Sequence, residues 1–107
     1  MKPETLFRRK VENFLKKLDN CWHESIQQQS IRGTPDILCC IRGAFVALEL
    51  KATEDSKLSA LQLHKLKLIY MGGGFAYRVD PSNFEIIKVA LLKINDGERP
   101  YDRTNVR

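Results

Sequence analysis

This sequence predicts an α/β fold with the element order αβββαβα, and three observations carry that prediction. A basic amphipathic segment opens the chain; two apolar, partly β-branched runs separated only by Arg42-Gly43 follow; and a leucine-rich segment with a helix-start signature ends at Gly72-Gly73-Gly74. A length of 107 residues falls within the usual range for one domain, and 43% hydrophobic content can fill one modest core. The expectation is a single domain over residues 1–107, with residues 96–107 as a polar tail.

Residues 4–18 place Phe7, Val11, Phe14, Leu15 and Leu18 on one stripe at helical spacing, with Arg8, Arg9, Lys10, Lys16 and Lys17 mostly off it. Residues 21–29 read as extended, and residues 31–35, Ile-Arg-Gly-Thr-Pro, punctuate the chain as a loop. Residues 36–42 and 44–52 then form strands, and Arg42-Gly43 is short enough to close them as an antiparallel hairpin.

Ser59-Ala60-Leu61-Gln62 has the form of a capping box, in which the first side chain and the glutamine satisfy each other's free backbone N–H groups. The helix it opens is apolar nearly all round and is expected to be buried on more than one side. Phe75 to Val79 reads as a fourth strand, and Ser82-Asn83-Phe84-Glu85 as a second capping box opening a last helix to about Ile94. The polar tail from Asp96 is expected to be loosely ordered or to reach a partner.

The charge balance, 18 Lys and Arg against 13 Asp and Glu, is a net +5 that favours a polyanionic partner without identifying it. No apolar run approaches the roughly 20 residues of a membrane span, and Met1-Lys2-Pro3-Glu4 leads into a charged helix rather than a signal peptide, so a cytoplasmic location is expected. Three cysteines make no disulfide framework. Cys21, His23, Cys39, Cys40 and His64 are zinc-ligand types, but adjacent Cys39 and Cys40 point to opposite faces of one strand, which argues against one shared metal.

The chemistry-bearing pattern lies in the hairpin. Side chains two apart on a strand share a face, so Leu48-Glu49-Leu50-Lys51 puts Glu49 and Lys51 on one side and both leucines on the other. Asp36 begins the neighbouring strand, and two carboxylates and a lysine would converge. Mg²⁺ prefers oxygen ligands and usually takes only one or two carboxylates, keeping positions for water and a phosphate. A lysine alongside could orient the attacking water or neutralise charge on the phosphorus. Gly33 permits close backbone approach and Pro35 stiffens the chain before Asp36. Taken alone, the three charges also fit a solvated face of an edge hairpin, since a D…ExK pattern is short.

The longer pattern is more specific. Gly33-Thr34-Pro35-Asp36, Glu49-Leu50-Lys51 and Ser59-Ala60-Leu61-Gln62 resemble the G-x-P-D, E-x-K and S-x-x-Q motifs of the PD-(D/E)XK nuclease superfamily, in particular its VRR-NUC branch, and the first helix is similar to that branch's opening helix. The resemblance implies a restriction-endonuclease-like core with a mixed central sheet flanked by helices. It further implies a metal site of Asp36, Glu49 and the Leu50 main-chain carbonyl, with Lys51 catalytic and Gln62 beside it. Glu4 is the first-helix carboxylate that would join the metal by position, with Glu12 as substitute; Glu4 is equally well explained as a first-turn acid favoured by the helix dipole.

Stand-alone members of the branch resemble homodimeric enzymes that cut branched DNA such as four-way (Holliday) junctions with Mg²⁺ or Mn²⁺, leaving a 5′-phosphate, in a bacterial or phage-infected cell. A homodimer would also use the surplus apolar surface of the second helix. Arg8, Arg9, Arg32, Gly33 and Lys57 are the expected DNA contacts, with Lys2, Lys10, Lys16, Lys17, Lys65 and Arg78 as further phosphate contacts, reading DNA shape rather than base sequence. The alternatives are a nuclease for flap, nicked or linear DNA, and a non-catalytic DNA-binding or assembly module on the same fold.

Overall fold

In the computed structural model, which describes residues 1–26 and 32–106, the first apolar stripe folds as helix α1 (Pro3–Lys16). Pro3 sits in the first turn, where its missing N–H has no helical partner to lose, and Phe7, Val11 and Leu15 are the buried face. Strands β1 (Cys21–Ser25), β2 (Ile37–Ile41) and β3 (Ala44–Leu50) follow. The extended reading of residues 27–29 and the loop position 31 lie outside the described residues. The β2–β3 hairpin closes as expected: Arg42 at φ 45° and Gly43 at φ 84° both take the left-handed conformation that a tight two-residue turn requires.

Helix α2 (Ala60–Met71), strand β4 (Phe75–Val79), helix α3 (Phe84–Asn95) and a two-residue strand β5 (Thr104–Asn105) complete the chain. The sheet runs β1-β2-β3-β4-β5, antiparallel across the first three strands and parallel from β3 to β4 and from β4 to β5, so it is mixed. The parallel β3–β4 pair needs a crossover, which α2 supplies.

The two faces of the sheet carry different loads. Val46, Leu48, Phe75, Tyr77 and Val79 join Phe7, Val11 and Leu15 of α1 and Ile87, Leu91 and Ile94 of α3 in the main core. The opposite face is a thin layer of Ala47, Ala76 and Leu66, edged by Leu38, Leu58, Ile69 and Val106. Period-2 alternation therefore sends Glu49 and Arg78, in register with each other across β3 and β4, to the thin face under α2. Among the described residues no helix is long and apolar enough to cross a membrane.

Three expectations need correction. Helix α2 buries only Leu66, while Leu68 and Met71 are 53% and 78% exposed, because the small alanines beneath it offer one shallow contact and nothing among the described residues covers its outer side. The second capping box does not form. Asn83 is the residue before α3 and makes no side-chain cap; instead the Asp80 carboxylate accepts from the N–H groups of Ser82 and Asn83, and Glu85 pairs with Lys88. The tail does not hang loose: β5 adds an eighth element at the sheet edge, and Arg103 donates to the carbonyls of Tyr70 and Gly74 at the end of α2, at 2.9 and 2.8 Å.

Candidate functional site

Asp36 and Glu49 meet where β2 begins and β3 ends. The antiparallel register that pairs Ile37 with Leu48 carries Asp36 alongside Glu49, and the Asp36 Oδ2 accepts the Leu50 N–H at 2.7 Å. Lys51 lies one residue past β3 and is anchored by its own N–H to the Val79 carbonyl at 2.8 Å, so the strand's alternation still holds through it. The capping box of α2 forms as the spacing predicts, and Gln62 then does a second task with its side chain. Its Nε2 donates to Glu49 Oε2 at 3.1 Å, and its Oε1 accepts from Lys51 Nζ at 3.1 Å and from Ser59 N–H at 2.9 Å. One amide thus holds the carboxylate and the lysine in a fixed relation.

The electrostatics are unbalanced at Glu49. The residue is 3% exposed, and burial, then the adjacent Asp36 carboxylate, push its carboxyl up to about 8 against the weaker pull of Lys51 and Arg8. Glu49 Oε1 is buried without a hydrogen-bond partner. Asp36 is better served, because Arg8 Nη2 approaches its Oδ1 at 3.2 Å and Arg8 Nη1 its main-chain carbonyl at 3.4 Å. Glu4, Thr5, Arg8, Asp36, Glu49 and Leu50 line the cleft that these groups share, roughly 360 Å³ in volume.

This arrangement fits a divalent cation. An orphaned buried oxygen and two neighbouring carboxylates that repel each other are both relieved by a hard cation, and Leu50 lines the same cleft. Among the described residues no group of three or more His, Cys, Asp or Glu side chains is placed to hold a metal ion. Glu4 is exposed and lines the cleft, whereas Glu12 accepts a hydrogen bond from Ser25 Oγ and is not among the lining residues.

Other positions differ from the sequence reading. Arg8 is turned onto Asp36 rather than out to solvent. Gly33 sits at φ 78° with the position of a Cβ only 2.7 Å from Leu61 Cγ, so the absence of a side chain lets it contact the first turn of α2 closely. Arg9, Arg32 and Lys57 are exposed and carry no ion pair among the described residues. Arg78 is 4% exposed and is no phosphate contact. It pairs with buried Asp80, and its Nη2 donates to the carbonyls of Thr53 and Ser56 at 3.0 and 2.6 Å, tying down the loop between Lys51 and α2. The sequence does hold a signal for this: Arg78 and Asp80 stand two apart, on one face, as Glu49 and Lys51 do.

The fold has a counterpart among solved structures. A structure described as a "VRR_NUC domain" superposes with a TM-score of 0.68, covering 83% of this chain and 95% of that chain at 20% sequence identity. The chain shares that α/β fold, consistent with a restriction-endonuclease-like core. No family model and no curated protein matches the sequence.

Proposed function

We propose that this chain is a nuclease of the VRR-NUC kind that hydrolyses phosphodiester bonds in DNA with Mg²⁺, or Mn²⁺ in its place, and that its substrate is branched DNA such as a four-way junction. One observation carries the reading. On a fold shared with a VRR_NUC domain, Gln62 bonds at once to a buried carboxylate and to a lysine, beside a second carboxylate, at the sheet end where G-T-P-D and E-L-K meet.

Asp36, Glu49 and the Leu50 carbonyl would hold a divalent ion, which would polarise a phosphate oxygen and make a water more acidic. The protein's own groups do the rest. Gln62 accepts from Lys51 Nζ and so holds the ammonium beside the scissile phosphate, where it neutralises developing negative charge or orients the attacking water. The Leu50 N–H holds Asp36 Oδ2 and leaves that carboxylate little freedom to rotate. Exposed Arg9, Arg32 and Lys57, with a net charge of +5, give the DNA backbone sequence-independent contacts. The uncovered apolar side of α2, with Leu68 and Met71, supports a homodimer, and paired sites would suit paired cuts in a two-fold symmetric junction.

The test incubates wild type and Lys51→Ala with labelled four-way junction, flap and linear duplex DNA in Mg²⁺, Mn²⁺ or EDTA. Metal-dependent cutting of the junction is expected, with a loss of about 10²-fold or more in the variant. Binding without cutting in every metal would instead indicate a non-catalytic DNA-binding module. Sedimentation at micromolar concentration checks the dimer, which a monomeric boundary refutes.

A further inference from the structure

We propose that Arg8 is the resident counterion of Asp36, and that the metal proposed above enters only as this guanidinium leaves. The inference rests on the metal reading of the cleft and adds to it a residue that sets how readily the metal is taken up.

Both oxygens of the Asp36 carboxylate are already engaged. Oδ2 accepts the Leu50 N–H at 2.7 Å, a main-chain contact that the β3 backbone fixes, and Oδ1 faces Arg8 Nη2 at 3.2 Å. The second arm of the guanidinium reaches the Asp36 carbonyl at 3.4 Å, so Arg8 grips the residue at two points and stands in the wall of the same cleft as Glu4, Glu49 and Leu50. A guanidinium stays charged and cannot make room by losing a proton. A dication at Oδ1 therefore meets a fixed positive charge a few ångströms away, and Arg8 must move aside.

The surroundings permit that movement. The Arg8 side chain is 24% exposed on α1, and its hydrogen bonds among the described residues are to Asp36 alone. Across the cleft, Glu49 gains nothing comparable: its Oε1 remains without a partner while Arg8 serves the other carboxylate. The metal-free cleft is thus half satisfied, and the half that is satisfied competes with the ion. A DNA phosphate at the cleft mouth offers the displaced guanidinium a bidentate partner, which couples arrival of the DNA to loading of the metal.

Mn²⁺ binding to the full chain without DNA, read by calorimetry and by the loss of the free-ion paramagnetic resonance signal, tests this apart from activity. Arg8→Met keeps an apolar stem of similar length and removes the guanidinium; Arg9→Met removes the same charge one residue along, where the side chain is exposed. Arg8→Met is expected to tighten Mn²⁺ binding by about tenfold, a typical coupling between two ligands of one site. Arg9→Met, acting only through screened solvent, is expected to change it by less than about twofold. Equal effects of the two variants, or weaker binding in Arg8→Met, overturn the role of Arg8 and leave the metal site standing. Absence of binding in all three proteins, each shown to be folded by its circular dichroism, overturns the metal reading together with this inference.

Discussion

Glu49 is buried at 3% exposure, with one oxygen unpartnered and its carboxyl raised to about 8 by burial and by Asp36. Unfolding returns the group to a value near 4.5, so the folded, metal-free protein holds the proton more tightly than the unfolded chain does. The stability this confers is fully present below about 4.5 and drains away as pH rises through about 8. In EDTA the melting temperature should fall between about pH 5 and about pH 9, and Glu49→Gln should flatten that slope. A wild-type curve that is flat or rising over the same range refutes this account of the carboxylate. The raised value was not legible in the sequence, which places Asp36 and Glu49 near one another but does not show how deeply each is sunk. Arg78 is the converse case. Its spacing from Asp80 was visible, and only the loop of residues 53–56 folding over it turns a candidate phosphate contact into a buried tether.

Among the elements, those with a repeating pattern were legible and those made by single contacts were not. The stripe of α1, the β2–β3 hairpin and the Ser59–Gln62 capping box all lie where the spacing put them. The capping box proposed at Ser82 matched the same short motif, but Asp80 captures the free N–H groups there, because its buried carboxylate is already fixed by Arg78. Gly33 shows how two elements are joined. At φ 78°, with a would-be Cβ 2.7 Å from Leu61 Cγ and 3.1 Å from the Leu61 backbone, it seats the loop that leads to Asp36 against the turn of α2 that carries Gln62. Gly33→Ala is expected to cost roughly 1–3 kcal/mol, from left-handed strain together with the clash. The same change should lower cleavage, because Asp36 and Gln62 lie on the two sides of that joint. Urea unfolding and a cleavage rate on the same preparation check both effects; an unchanged midpoint shows that the joint is slack.

For the molecule as a whole, the sheet's asymmetry decides where chemistry can sit. The face packed by α1 and α3 is filled with large apolar side chains, and the alanines on the other face leave room for buried Glu49 and Arg78. The mixed sheet and the helix order followed from the sequence; β5 did not, because a two-residue strand has no periodicity and is positioned by the Arg103 side chain. A chain ending at Tyr101 loses those two bonds, the Ala76 N–H to Arg103 carbonyl bond and the Tyr77 hydroxyl bond to Asp102. At about 1 kcal/mol each, the truncation should destabilise the fold by roughly 3–4 kcal/mol. It should also leave β4 as an open edge, with light scattering that rises with concentration. Unchanged unfolding and scattering would show that β5 is ornamental.

The length of β5 also bears on how the folded chain opens. Two residue pairs hold it to β4, whereas five hold β4 to β3, so this outer strand detaches long before the sheet as a whole comes apart. Each such opening bares the N–H and C=O groups of Ala76 and Tyr77 on that side. A fully folded population therefore always contains a small share of briefly adhesive molecules, and their encounters multiply with concentration although no contact of the closed form has changed.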